Sequence, residues 1–176
     1  SSFGAAAKDV KITTTIDTLV KAMYNFHYEG EDACIGMFPQ DGRGAVIILK
    51  KLLEIIKKSE TGLLALDNHN KDMMGKELLQ VKKLDLHGNQ IVDVTPLAGL
   101  VNLTWLQLDG NQIVDVAPLA GLVNLETLQL GGNQIVDVSP LAGLVNLTWL
   151  SLFKNQIVDV SPLAGLVHLT ELQLQI

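Results

Sequence analysis

Leu84, Leu106, Leu128, Leu150 and Leu172 are spaced by a constant 22 residues, and so are Leu86, Leu108, Leu130, Leu152 and Leu174. Asn89, Asn111, Asn133 and Asn155 keep the same step, as do Pro96, Pro118, Pro140 and Pro162. Each unit reads x-L-x-L-x-x-N-Q-I-V-D-V-x-P-L-A-G-L-V-N-L-x; four full units run from 83 to 170, and a fifth stops after "ELQLQI". Self-similarity at one fixed period of this length restricts the chain to a solenoid, in which no unit can bury its leucines alone and stacked units share one core.

Each recurring letter has a physical role. In "LQL" the leucines alternate with polar residues, which predicts a short strand with both leucines on one face. Stacking such strands gives a parallel sheet with a spacing of ~4.8 Å. The chain must then turn, and its backbone groups need partners. An asparagine amide bonds backbone on both sides, so Asn89, Asn111, Asn133 and Asn155 predict an internal ladder. Proline fixes φ and lacks a donor, which suits a corner at the rim. "LAGLVNL" is too short for more than a turn or so of 3₁₀ or α structure, and its glycine lets the backbone bend or pack closely. Asp93, Asp115, Asp137 and Asp159 form a further column. Like charges at ~5 Å repel by about 1 kcal/mol per pair in water, so each is expected to accept local backbone or hydroxyl hydrogen bonds. A calcium ladder is the alternative reading, and the lack of a second acidic column beside this one disfavours it.

The run "LxxNQIVDVxPLAGLVNL" resembles the leucine-rich repeat family. Within that family it resembles the 22-residue class seen in bacterial internalins and in some intracellular phosphatase regulators. The Asn, Asp-Val and Pro-Leu positions carry the internalin likeness, which covers residues 78–176. The resemblance implies an α/β solenoid: a leucine-rich repeat with a parallel concave β-sheet and a short 3₁₀ or turn-rich convex side. It also implies binding of a protein partner. An internalin relationship would mean bacterial adhesion or host interaction, and a regulator relationship an intracellular scaffold.

What changes between units is the set of outward positions on the strand. These are Lys83, Asp85 and His87; Trp105, Gln107 and Asp109; Thr127, Gln129 and Gly131; Trp149, Ser151 and Phe153; and Glu171, Gln173 and Gln175. Both tryptophans of the chain fall in this set. Trp105 and Trp149 share a column two units apart, hence ~10 Å apart, with Thr127 between them. Aromatic residues grouped on a curved sheet suit a protein-binding surface. The expected contacts are Trp105, Trp149 and Phe153 as apolar anchors, with Gln107, Asp109, Thr127, Gln129 and Ser151 around them. The same positions also fit a bland reading in which the indoles only shield the sheet. The near-identity of the units fits a recently duplicated or engineered scaffold with no evolved partner.

Residues 1–77 do not repeat. "ITTTIDTLVKAMYNFHY" places Ile12, Ile16, Leu19, Val20, Met23 and Phe26 at helical spacing. "EGEDACIGMFPQDGRG" predicts a loop, "AVIILKKLLEIIKK" a buried helix, and "TGLLALDN" a short strand or the start of a helix. "DMMGKELLQV" starts helical and leads into the first strand. The expected role is a mainly helical cap (residues 1–77) on the array (78–176), because an open solenoid end exposes leucines and unpaired strand edges. By the same physics, "ELQLQI" predicts an open edge that continues in a longer array or pairs with a second copy.

Charge narrows the partners. Residues 1–82 hold eleven cationic and eleven acidic side chains, while residues 83–176 hold two lysines against eight acids, which gives the whole net charge of −6. An acidic array disfavours nucleic acid and favours a partner with a basic patch. No apolar run approaches the ~20 residues of a membrane span. Cys34 is the one cysteine, without nearby basic residues to activate it, and reads as a small buried apolar group. The four histidines lack ligand spacing, and no phosphate loop, EF-hand or other cofactor or enzyme signature is present. "SSFGAAA" reads as a processed or added end, so the sequence fits either a cytoplasmic protein or one exposed after signal removal.

Overall fold

The computed structural model describes residues 2–174, with side chains from residue 15 to residue 174. Gln175 and the side chain of Ile12 lie outside the described residues. The chain opens with α1 (Ser2–Glu29), α2 (Asp32–Ile35), α3 (Gly42–Ile56), α4 (Glu60–Asp67) and α5 (Lys71–Leu78). Ile16, Leu19, Val20 and Met23 of α1 are buried, as their spacing requires, and Phe26 packs half-buried against the same core.

The sequence 29–44 reads as a loop throughout, yet it contains one helical turn, α2, which buries Cys34. Burial pushes the Cys34 thiol up from its ordinary range, the opposite of what a nucleophile needs. The ambiguous "TGLLALDN" is helical, because the Ser59 hydroxyl caps it by accepting the Gly62 N–H at 2.9 Å. The Asn70 side chain caps α5 in the same way.

Strands β1 (Lys83–Asp85), β2 (Trp105–Gln107), β3 (Thr127–Gln129), β4 (Trp149–Ser151) and β5 (Glu171–Gln173) form one parallel sheet in sequence order. Leu84, Leu106, Leu128, Leu150 and Leu172 are paired in register across it. The first four are at most 1% exposed, whereas Leu172 is 40% exposed.

The asparagine ladder is present. Asn111 Oδ1 accepts the N–H groups of Asn89 (2.9 Å) and Ile91 (3.0 Å), while its Nδ2 donates to the carbonyls of Leu86 (3.0 Å) and Leu108 (2.9 Å). Asn133 and Asn155, one and two units on, repeat the isoleucine N–H acceptance and both carbonyl bonds. Each proline opens a short 3₁₀ turn, beginning at Thr95, Ala117, Ser139 and Ser161. The aspartate column satisfies the first N–H of each of those turns: Asp93, Asp115, Asp137 and Asp159 accept the N–H two residues ahead at 2.8–2.9 Å. For Asp137 and Asp159 these bonds hold the carboxyls below their ordinary range.

A second polar column comes from the other recurring asparagine. Asn102, Asn124 and Asn146 donate to the carbonyls of Leu79, Val101 and Val123 one turn back. The recurring glycine is crowded only in the first unit, where Gly99 meets Thr15 and Ile16 of α1. Gly121, Gly143 and Gly165 have open space where a side chain would go.

The helices lie against the first unit, and their apolar residues belong to the same continuous core as the leucines of the array. One side chain ties the two covalently distant parts together. Asp41 Oδ1 caps α3 by accepting the Gly44 N–H at 2.9 Å, and its Oδ2 accepts Val92 N–H at 2.8 Å and Asp93 N–H at 3.3 Å. The proposed division between 1–77 and 78–176 falls at the end of α5, and the core runs across it.

Candidate functional site

The outward positions of the strands form three columns on the face of the sheet turned away from the leucine core. In the first, Trp105 pairs with Thr127 and Thr127 with Trp149. Both indoles are half-buried, with the smaller threonine between them. In the second column Gln107 and Gln129 are half-buried, but Ser151 is only 3% exposed. Ser151 therefore keeps the face that its place in the strand dictates and lacks the accessibility expected of a contact residue.

The third column departs most from a regular array. Asp109 is half-buried, Gly131 is buried, and Phe153 is half-buried. A Cβ built on Gly131 would stand 2.3 Å from Cε1 of Phe153, so the ring lies in the space that the glycine leaves open. The next residue is also irregular. Gly88, Gly110 and Gly132 adopt φ of 67°, 69° and 68°, and the corresponding residue of the fourth unit is Lys154 at φ 53°. A side chain in the left-handed region costs roughly 1–2 kcal/mol, and Lys154 carries its ammonium 5.9 Å from the centre of the Phe153 ring. Sequence reasoning names Phe153 but not this Gly131–Phe153–Lys154 arrangement. The signal was present, since "GG" and "FK" stand where the earlier units read "HG" and "DG".

Residues 101–143 match the family described as Leucine Rich repeats (2 copies). Among solved structures, the chain is similar to an internalin (inlF) from Listeria monocytogenes at 41% identity and a TM-score of 0.55, over 56% of this chain and 29% of that one. It is similar to internalin C2 (inlC2) of the same organism at 46% identity and a TM-score of 0.51, over 66% of this chain and 46% of that one. The fold is a leucine-rich repeat solenoid, similar to that of these internalins. A leucine-rich repeat protein of Leptospira interrogans is 32% identical with a TM-score of 0.53, over 56% of this chain and 26% of that one. The chain thus spans less than half the length of each of these relatives. No curated protein matches the sequence.

At its capped end the leucine-rich repeat face meets α3 in a cleft of about 420 Å³, lined by Lys50, Lys51 and Glu54 on one side and by Asp85, His87 and Asn89 on the other. Lys50 is paired with Glu31 at 2.8 Å. His87 Nδ1 stands 2.6 Å from Asp85 Oδ1. The hydrogen bond and charge of Asp85 raise the His87 imidazole above its ordinary 6.5. For Asp85, partial burial pushes the carboxyl up, and the hydrogen bonds and charge of His87 outweigh it, leaving the group below 3.8.

The signs follow from linkage. The raised imidazole contributes stability that is complete below 6.5 and lost as pH rises through its raised value. The lowered carboxyl contributes above 3.8 and loses it as pH falls through its lowered value. The pair is therefore fully formed between those two limits. An NMR titration of the His87 ring is expected to give a midpoint above 6.5 that returns toward 6.5 in Asp85→Asn; an unchanged midpoint in that variant would show the pairing is absent in solution.

Among the described residues, no helix is long and apolar enough to cross a membrane, and no cluster of histidine, cysteine and carboxylate side chains has the geometry to hold a metal ion.

Proposed function

We propose that the protein is a capped leucine-rich repeat module that binds a protein partner on the concave face of its sheet. The observation that carries this reading is the register Trp105–Thr127–Trp149, which sets two half-buried indoles on either side of a small side chain. Tryptophan contributes large contact area at low entropic cost, and binding hot spots favour it. Gln107, Asp109 and Gln129 surround the pair and supply polar definition, and Phe153 adds a third aromatic side chain. The acidic array favours a basic partner. The similarity to internalins supports a role in adhesion or host interaction at a bacterial surface.

The test compares capture of partners by the parent protein and by Trp105→Ala/Trp149→Ala at unchanged circular dichroism. The double variant is expected to weaken the dominant interaction at least about 100-fold, in line with two hot-spot truncations of roughly 2 kcal/mol or more each. Equal capture by both proteins would make the indoles part of the scaffold. It would favour the second reading, drawn from the near-identity of the units, of a repeat scaffold with no evolved partner on this face.

A further inference from the structure

Three irregular features fall on neighbouring positions of the outward face. Gly131 is the bare position of its column, and the Phe153 ring lies in the resulting gap. One strand beyond Gly131, Asp109 Oδ1 is buried without a hydrogen-bond partner among the described residues. Two positions before Phe153, at the end of β4, the Ser151 hydroxyl is in the same condition. Buried polar atoms are ordinarily paired, because stranding one forfeits its hydration. His87, the column neighbour of Asp109, is hydrogen-bonded to Asp85, and the Asp109 charge acts on its imidazole only through space.

We propose that Phe153 is a displaceable cover on a cation-binding subsite of the concave face, with Asp109 as the acceptor for an arginine or lysine side chain of the protein partner. The inference rests on concave-face binding and adds the chemistry that one part of that face reads. In the uncovered state the ring leaves the Gly131 gap, the Asp109 carboxylate accepts the cation, and the Ser151 hydroxyl becomes free to bond. The ring itself is a suitable companion for the incoming charge. It already has the Lys154 ammonium at 5.9 Å, and aromatic faces attract cations. Lys154 holds its left-handed backbone where three units use glycine, and strain of that kind gathers at working sites. The glycine at 131 gives the cover its resting place; a residue with a Cβ would deny it.

The test follows from that last point. Gly131→Ala puts a methyl group where the ring lies, so it produces the uncovered form. The probe is an acetylated, amidated tetra-arginine peptide at low salt, titrated by calorimetry. Gly131→Ala is expected to bind it at least about tenfold more tightly than the parent, and Asp109→Asn in the Gly131→Ala background to lose that gain. Asp115→Asn, which removes the same charge from the flank of the array, is expected to keep it. Phe153→Ala removes the cover without adding an atom and serves the same comparison should Gly131→Ala lose its fold. Equal affinities for parent and uncovered variants, or a gain that survives Asp109→Asn, would overturn the subsite. Those outcomes combined with partner loss in Trp105→Ala/Trp149→Ala would leave concave-face binding standing. Partner capture unaffected by the tryptophan pair would instead remove the reading on which the subsite rests.

Discussion

Asn111→Ala is expected to destabilise the fold by about 3–5 kcal/mol, more than any surface substitution in the array. The side chain is 6% exposed and touches backbone on both sides. Its three carbonyl partners each keep another donor, because Leu86 O also accepts from Asn89 Nδ2, Leu108 O from Asn133 Nδ2 and Asp109 O from Gly88 N–H. The N–H groups of Asn89 and Ile91 keep nothing else, since both donate to the one Asn111 oxygen. Each stranded buried donor costs roughly 1–3 kcal/mol, and the lost donor bonds add to that. For a chain of this size the melting temperature should fall by roughly 6–20 °C. Gln112, next in sequence and exposed, is the control; its alanine variant is expected within about 0.5 kcal/mol of the parent. A loss below about 1 kcal/mol for Asn111→Ala in chemical denaturation would mean that the ladder orders the turns without stabilising them.

Asp41→Ala is expected to cost about 2–3 kcal/mol and to loosen the first unit from the helices. Removing an N-cap side chain costs roughly 1 kcal/mol. Loss of the charged acceptor for Val92 and Asp93 adds a similar amount, because water reaches the exposed Val92 N–H and replaces part of the bond. The distinguishing readout is amide exchange. Val92 N–H and Gly44 N–H should both exchange faster in Asp41→Ala, although they lie far apart in sequence. In Asp41→Asn, the single remaining carbonyl oxygen can protect only one of the two sites. Faster exchange at Gly44 alone would reduce Asp41 to a helix cap with no role in joining the helices to the array.

The repeat architecture was legible because a solenoid makes local spacing and tertiary register the same thing. Once Leu84 and Leu106 are one period apart, stacking one unit on the next pairs them in the sheet. The columns of asparagine, aspartate and proline follow without further information. The helical segments were equally plain where leucines and isoleucines recur at three and four, as in α1 and α3. Residues 61–68 were not, because a short apolar run fits strand and helix alike, and the Ser59 cap that decides the matter is a single hydrogen bond. The same limit hid α2, one turn in a stretch dominated by glycine, proline and charge.

The sequence by itself determined which face each variable side chain takes, since alternation along a strand leaves no choice. Whether that side chain is open to a partner was decided only by the tertiary structure, because exposure depends on the size of neighbours one and two strands away. Ser151 is covered although its column is outward. Phe153 lies across Gly131 because that glycine has nothing to hold it off. Asp41, read in sequence as part of a loop, reaches a turn some fifty residues further on that only the packing of α3 brings within hydrogen-bond distance.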